Sequence, residues 1–181
     1  MVSPPPPKRP AAALPGVDPV HFDGTNINPV TLLATDYLNH FNEAIMLLEM
    51  LPVAPDCKDD FLDWRPMSYC EHFAASHFKH RDLAIAAYEV ADPAYRELLD
   101  VIADHMNVIL TAASEAMRRD LSPHTVGALA AAATRWLKPM VGRAGAVING
   151  ELKVESPSDE SRPQDAVDAL FARVAEGVSQ R

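Results

Sequence analysis

Residues 92–126 read DPAYRELLDVIADHMNVILTAASEAMRRDLSPHTV, and this stretch decides the fold. Asp92 stands directly before Pro93, and Ser122 directly before Pro123. Each pair puts a side-chain acceptor at a helix N-cap and then a residue of fixed φ at the first helical position, where a missing N–H costs nothing. Between them Tyr95, Leu98, Leu99, Ile102, Met106, Ile109 and Ala113 recur at steps of three and four, the period of one helix face. The stretch therefore predicts a helix over 93–119, a tight turn, and the start of another helix over 122–147. So short a connection makes the two antiparallel neighbours.

The same signatures extend upstream. Asn28-Pro29 repeats the cap-then-proline pair, and Ser68 with Glu71 three residues later forms a capping box. They predict helix 1 over 29–51 and helix 2 over 68–91. Pro52, Pro55 and Pro66 break the connection between these two into a longer loop that carries Cys57, Lys58-Asp59-Asp60 and Trp64-Arg65-Pro66. Pro139 implies a kink in the last of the four helices, and Gly142, Gly145 and Gly150 weaken its far end. The expected fold is all-α, a four-helix up-and-down bundle over residues 28–149.

The flanks differ in composition. Seven of the sixteen prolines fall within residues 1–20, including the run Pro4 to Pro7 followed by Lys8-Arg9-Pro10. Such a segment favours polyproline II and buries too little apolar surface to order itself. Residues 1–27 thus read as a disordered proline-rich arm with a polar lead-in. Residues 150–163 read as a polar linker. A C-terminal amphipathic helix within 164–181 is expected, with Val167, Leu170, Phe171, Val174 and Val178 on one side.

Composition excludes several functions. The formal net charge of −9, with basic pairs only at Lys8-Arg9 and Arg118-Arg119, argues against binding nucleic acid. No apolar run reaches the roughly 18 residues a membrane span needs. Met1 to Pro15 holds no apolar core with a cleavage site, so no secretory signal is expected and the cytoplasm is the expected compartment. Cys57 and Cys70 form no CxxC pair and are expected to stay reduced there.

Three histidines, His40, His80 and His105, fall near the middle of three predicted helices, in one layer if the helices fold back on one another. Imidazole is the commonest transition-metal ligand, and three of them with an open position could hold iron or zinc. His80 lies at the centre of the stripe of Tyr69, Phe73, Leu83, Ala84 and Ala87, with His72 and His77 on its flanks. His40 flanks its own stripe beside Leu33 and Leu47, and His105 lies between Leu98 and Ala112. The carboxylates Asp36, Glu43, Glu71, Asp82, Glu89, Asp100, Asp104 and Glu115 mostly map to opposite faces, and no Glu-x-x-His pair of the di-iron bundles occurs. The competing reading makes His80 a core histidine hydrogen-bonded to Tyr37, Tyr69 or Ser76. The run His77-Phe78-Lys79-His80 lacks the glycine expected of a phosphoacceptor helix.

Other chemistry finds no motif. There is no GxGxxG, P-loop or Gly-x-Ser-x-Gly. Cys70 and His72, two apart on one helix, point about 200° away from each other. Trp64 and Trp136 read as filling the core or a bundle end. The sequence therefore predicts a non-enzymatic interaction module that binds a protein partner or self-associates. The alternative is a metal-binding bundle at His40, His80 and His105. A third reading is an apolar pocket between the last two long helices, where Ala112-Ala113, Ala128 and Ala130 to Ala133 leave space.

Overall fold

The computed structural model describes Phe22 and residues 24–152. The expectations for the proline-rich arm and for the amphipathic helix at 164–178 lie outside the described residues, as does nearly all of the linker. Among the described residues the chain is all-α. Its helices are α1 (Leu38–Met50), α2 (Cys57–Asp63), α3 (Tyr69–Ala75), α4 (Arg81–Val90), α5 (Pro93–Met117) and α6 (Pro123–Ile148). None of them is long and apolar enough to cross a membrane.

The two start signals that anchored the reading form as expected. Asp92 accepts from the Ala94 N–H at 2.9 Å and Ser122 from the Thr125 N–H at 3.2 Å, each with proline inside the first turn. The capping box at α3 also closes: Ser68 Oγ accepts from Glu71 N–H, and Glu71 accepts from Ser68 N–H at 2.8 Å.

Helix α6 lies between α5 on one side and α1 on the other. Lys138 meets Glu49 at 2.5 Å near one end of the α1–α6 pair, and Leu38 lies beside Gly145 at the other, so these helices run antiparallel. Phe41, Leu99, Met106, Leu110, Ala133 and Leu137 have no exposed surface and form the centre of the core. Ala113, Ala130 and Ala133 are buried in it and let α5 and α6 approach closely, whereas Ala128 and Ala131 face outward. Pro139 lies on the exposed side of α6, where water can take the Arg135 carbonyl that its ring leaves without a donor.

Several expectations are corrected. Helix 1 starts at Leu38 after a 3-10 turn over Thr35–Tyr37, not at residue 29. Asn28 does cap, accepting from Val30 N–H at 2.8 Å and Thr31 N–H at 3.2 Å, but Leu32 at φ 62° ends the turn. The chain instead makes a hook closed by an antiparallel bridge between Ile27 and Ala34. Phe22 and Ile27 of the supposed polar lead-in are buried.

Helix 2 is two helices, α3 and α4. Ser76 breaks it: its hydroxyl donates to the Phe73 carbonyl at 2.9 Å and accepts from the Phe78 N–H at 3.2 Å, while its backbone turns extended. Serine competes with the helical ladder in this way wherever the side chain can reach its own backbone. The proline-broken loop, in turn, contains a helix of its own, α2, which packs on α1 and on the end of α5. Arg118 Nη2 fastens that end by donating to the Leu62 carbonyl at 2.7 Å.

The far end of α6 is terminated rather than weakened by its glycine. Gly150, at φ 69°, donates to the Val147 carbonyl, and Glu151 donates to the Ala146 carbonyl at 2.9 Å. This is the Schellman arrangement, which needs a left-handed residue at its turn. The Thr31 hydroxyl donates to the Ile148 carbonyl at 2.5 Å, so the N-terminal hook is latched onto this helix end.

Candidate functional site

The loop and α2 lay Trp64 against the first turn of α1. Its indole N–H donates to the His40 carbonyl at 3.1 Å, and its ring stacks on the His40 imidazole at 4.6 Å between centroids. A file of rings continues inward from there. His72 lies 5.7 Å from His40 and 5.7 Å from Tyr37; Tyr37 meets Tyr69 at 5.2 Å, and Tyr69 stacks on Tyr88 at 4.6 Å. Tyr88 donates to Asp100 of α5 at 2.6 Å, beneath the guanidinium of Arg96. The other two tyrosines fix loops: Tyr37 donates to the Met67 carbonyl, and Tyr69 accepts from the Ala34 N–H. Burial raises the pKa of all three phenols, so they remain protonated hydrogen-bonding groups. Burial also pushes the Cys70 thiol up, with Glu89 and Asp100 adding to it, which removes the thiolate a reactive cysteine needs.

The outer end of this file opens on a cleft of about 500 Å³, lined by His40, Glu43, Met46 and Leu47 of α1 and by Asp60, Asp63, Trp64, Arg65 and Met67 opposite. Its rim is negative. Glu43, Asp60 and Asp63 are exposed and make no ion pair with another described residue. Arg65, the one cation on the wall, has its Nη1 taken by the carbonyls of Leu62 at 2.6 Å and Trp64 at 2.8 Å.

His40 forms the floor and is only 3% exposed. Burial above all, and the nearby His72, lower its pKa to about 4 against an opposing backbone hydrogen bond with Arg65. A backbone bond that favours the charged ring is one in which a ring N–H meets a carbonyl. Nε2 is buried with no partner. Buried polar atoms normally have partners, which makes this one conspicuous.

The three histidines of the sequence reading separate. His40 is in the cleft floor. His80 is the N-cap residue of α4, half-buried, with its ring 5.9 Å from Phe78, and it is not the core histidine that a continuous helix 2 would make it. His105 sits half-buried on α5. Among the described residues no three His, Cys, Asp or Glu side chains gather in a group that could hold a metal ion. The structure pairs His40 with His72 instead, and with Trp64, which the sequence assigned to the core or to a bundle end. The other tryptophan, Trp136, is 40% exposed on α6. The sequence offered only the content of that loop, Lys58-Asp59-Asp60 and Trp64-Arg65-Pro66, as a signal.

No serine, threonine or cysteine lines the cleft, so it offers no hydroxyl or thiol nucleophile. A second, polar hollow of about 310 Å³ lies beside the 3-10 turn, lined by Asn26, Thr35, Asp36, Leu38, Asn39 and Asn42. No protein-family model matches this chain, no curated protein matches it, and no solved structure matches it.

Proposed function

We propose that this chain is a non-enzymatic helical interaction module of the cytoplasm, which binds a protein partner or a second copy of itself along the edge formed by α1 and α2. One observation carries the reading. Met46, Met50 and Val53 are 52%, 38% and 83% exposed at the end of α1, and Met46 belongs to the cleft wall as well. An apolar ledge that continues into a concave surface is the usual form of a contact site, and methionine adapts to varied partners. The scaffold beneath it is read as an up-and-down bundle in which α3 and α4 together stand in for one long helix.

The test is a photo-cross-linking amino acid placed at Val53 in living cells, with one at the exposed Glu115 of α5 as control. A discrete adduct at Val53 alone supports the reading, and its mass separates a partner from a second copy. Equal labelling at both positions, or none, overturns it.

The alternative is a metal-binding bundle holding iron or zinc at His40, His80 and His105. The feature in its favour is the partnerless Nε2 of His40 with a second imidazole, His72, 5.7 Å away. Metal content of the purified protein decides it.

A further inference from the structure

We infer that the cleft floored by His40 and Trp64 receives a primary ammonium on an aliphatic stem, namely a lysine side chain presented by the partner. The inference rests on the interaction reading above and adds the chemistry of its recognition. The argument starts at the floor. Nε2 of His40 is buried with no hydrogen-bond partner, and an N–H brought by a ligand would complete it as an acceptor. A carboxylate or phosphate ligand is disfavoured because the rim would repel it: Glu43, Asp60 and Asp63 line the opening, against one guanidinium already tied to two carbonyls.

A cation with several N–H donors answers both demands. Ammonium has three, one of them for the imidazole, while the rim carboxylates draw the charge in. The walls between rim and floor are Met46, Leu47 and Met67, which suit the methylenes behind the charge. Trp64 adds an aromatic surface of the kind that attracts cations. Lysine fits this depth better than arginine. Its charge is a compact point on a flexible stem, whereas a guanidinium is a planar fork suited to bidentate carboxylates. Nε2 lies beneath the cleft surface, and the unbranched side chains of Met46 and Met67 are the parts of the wall able to give way. The ring needs no proton for this role, since it is already held neutral.

The test is a titration of the full-length, nitrogen-15-labelled protein followed by NMR at the imidazole nitrogens of His40 and the indole N–H of Trp64. The probes are the peptide acetyl-Gly-Lys-Gly-amide, the same peptide acetylated on the lysine nitrogen, and cadaverine. The lysine peptide is expected to move both signals and the acetylated peptide neither. In the double variant Asp60→Asn, Asp63→Asn, whose changes lie on exposed side chains and spare the core, the affinity should fall by about five-fold, as for two exposed charge pairs.

Equal responses to the two peptides, or no response to any probe, overturn the inference. A response to cadaverine alone overturns the partner-borne lysine and leaves a site for a free diamine. If the Val53 cross-link persists while the lysine peptide has no effect, only the ammonium site is lost. If lysine binds and the cross-link is absent, the interaction edge is what fails.

Discussion

The imidazole of His40 lies on the indole of Trp64, with planes 23° from parallel, while that same indole donates to the His40 carbonyl. Ring and backbone of one residue are thus both held by a single side chain from another element. Beside the buried Phe61 and the Arg118–Leu62 bond, this double contact helps to set the position of α2 on α1. Replacing Trp64 with alanine removes the stack, the hydrogen bond and the packing at once. For a half-buried tryptophan the expected cost is about 2–3 kcal/mol, below the range for fully buried aromatics. Trp64→Phe keeps most of the packing and should cost roughly 1 kcal/mol for the lost hydrogen bond. Urea unfolding of the two variants checks the order; equal losses would mean that the ring's packing adds nothing beyond the hydrogen bond.

His40 makes stability depend on pH. Its folded pKa, about 4, lies below the ordinary 6.5, so between these values the unfolded chain takes up a proton that the folded one refuses. Stability should therefore be fully present above pH 6.5 and decline as the pH falls toward 4, by about 2–3 kcal/mol in all. His72, also lowered by burial, acts in the same sense. Asp100, raised by burial, acts in the opposite sense near the acid end of the window. Denaturant midpoints measured every half pH unit should show the decline, and His40→Phe should flatten most of it.

Gly150 is the position where an ordinary residue should not fit. Its φ of 69° is strained for any side chain with a Cβ, and that Cβ would stand 3.3 Å from Thr31 Cγ2. Gly150→Ala is expected to lower stability by roughly 1–2 kcal/mol. A thermal melt of this variant beside Gly142→Ala, where nothing lies within 4 Å of the added carbon, gives the comparison. The second change should stabilise slightly, as a helical alanine does.

The caps that begin α5 and α6 are separated by the whole length of α5. Asp92→Ala and Ser122→Ala should each cost about 1 kcal/mol, and the double variant should cost their sum. A double-mutant cycle in urea tests this; coupling beyond about 0.5 kcal/mol would show that the caps do more than terminate helices.

Metal content separates the two functional readings. Because no three ligands converge among the described residues, protein incubated with iron or zinc and then dialysed should hold well under one equivalent by mass spectrometry of its elements. A full equivalent that disappears with His40→Ala would reinstate the histidine site.

Much of this fold was legible because its signals are local. The side chains of Asp92, Ser122 and Ser68 cap the helices that follow them, and the three-four spacing of α5 points inward as read. The errors came where a local signal has two outcomes. Asn28 caps a turn as readily as a helix, and nothing upstream of Leu32 announces its left-handed backbone. Ser76 can sit in a helix or break one, and treating residues 68–91 as continuous put His80 in a core it never enters. The cleft was least legible. His40 and Trp64 are brought together by α2, a helix inside a segment that its prolines had marked as loop. Burial of His40 therefore depends on a tertiary contact that helix-face geometry cannot supply.

The Thr31 hydroxyl and the Ile148 carbonyl that it meets are 117 residues apart in the chain, and α1 finds its principal neighbour in α6. On the ribosome, α1 emerges early and cannot be covered until all of α5 and α6 have followed. Until then the nascent chain carries bare the apolar side of α1 that faces α6, with Phe41 and Leu48 on α1. Contacts of such long range also slow closure of the finished chain. The last event of folding should be the seating of the hook on α6, which makes the interval before it the period in which this protein most needs a chaperone.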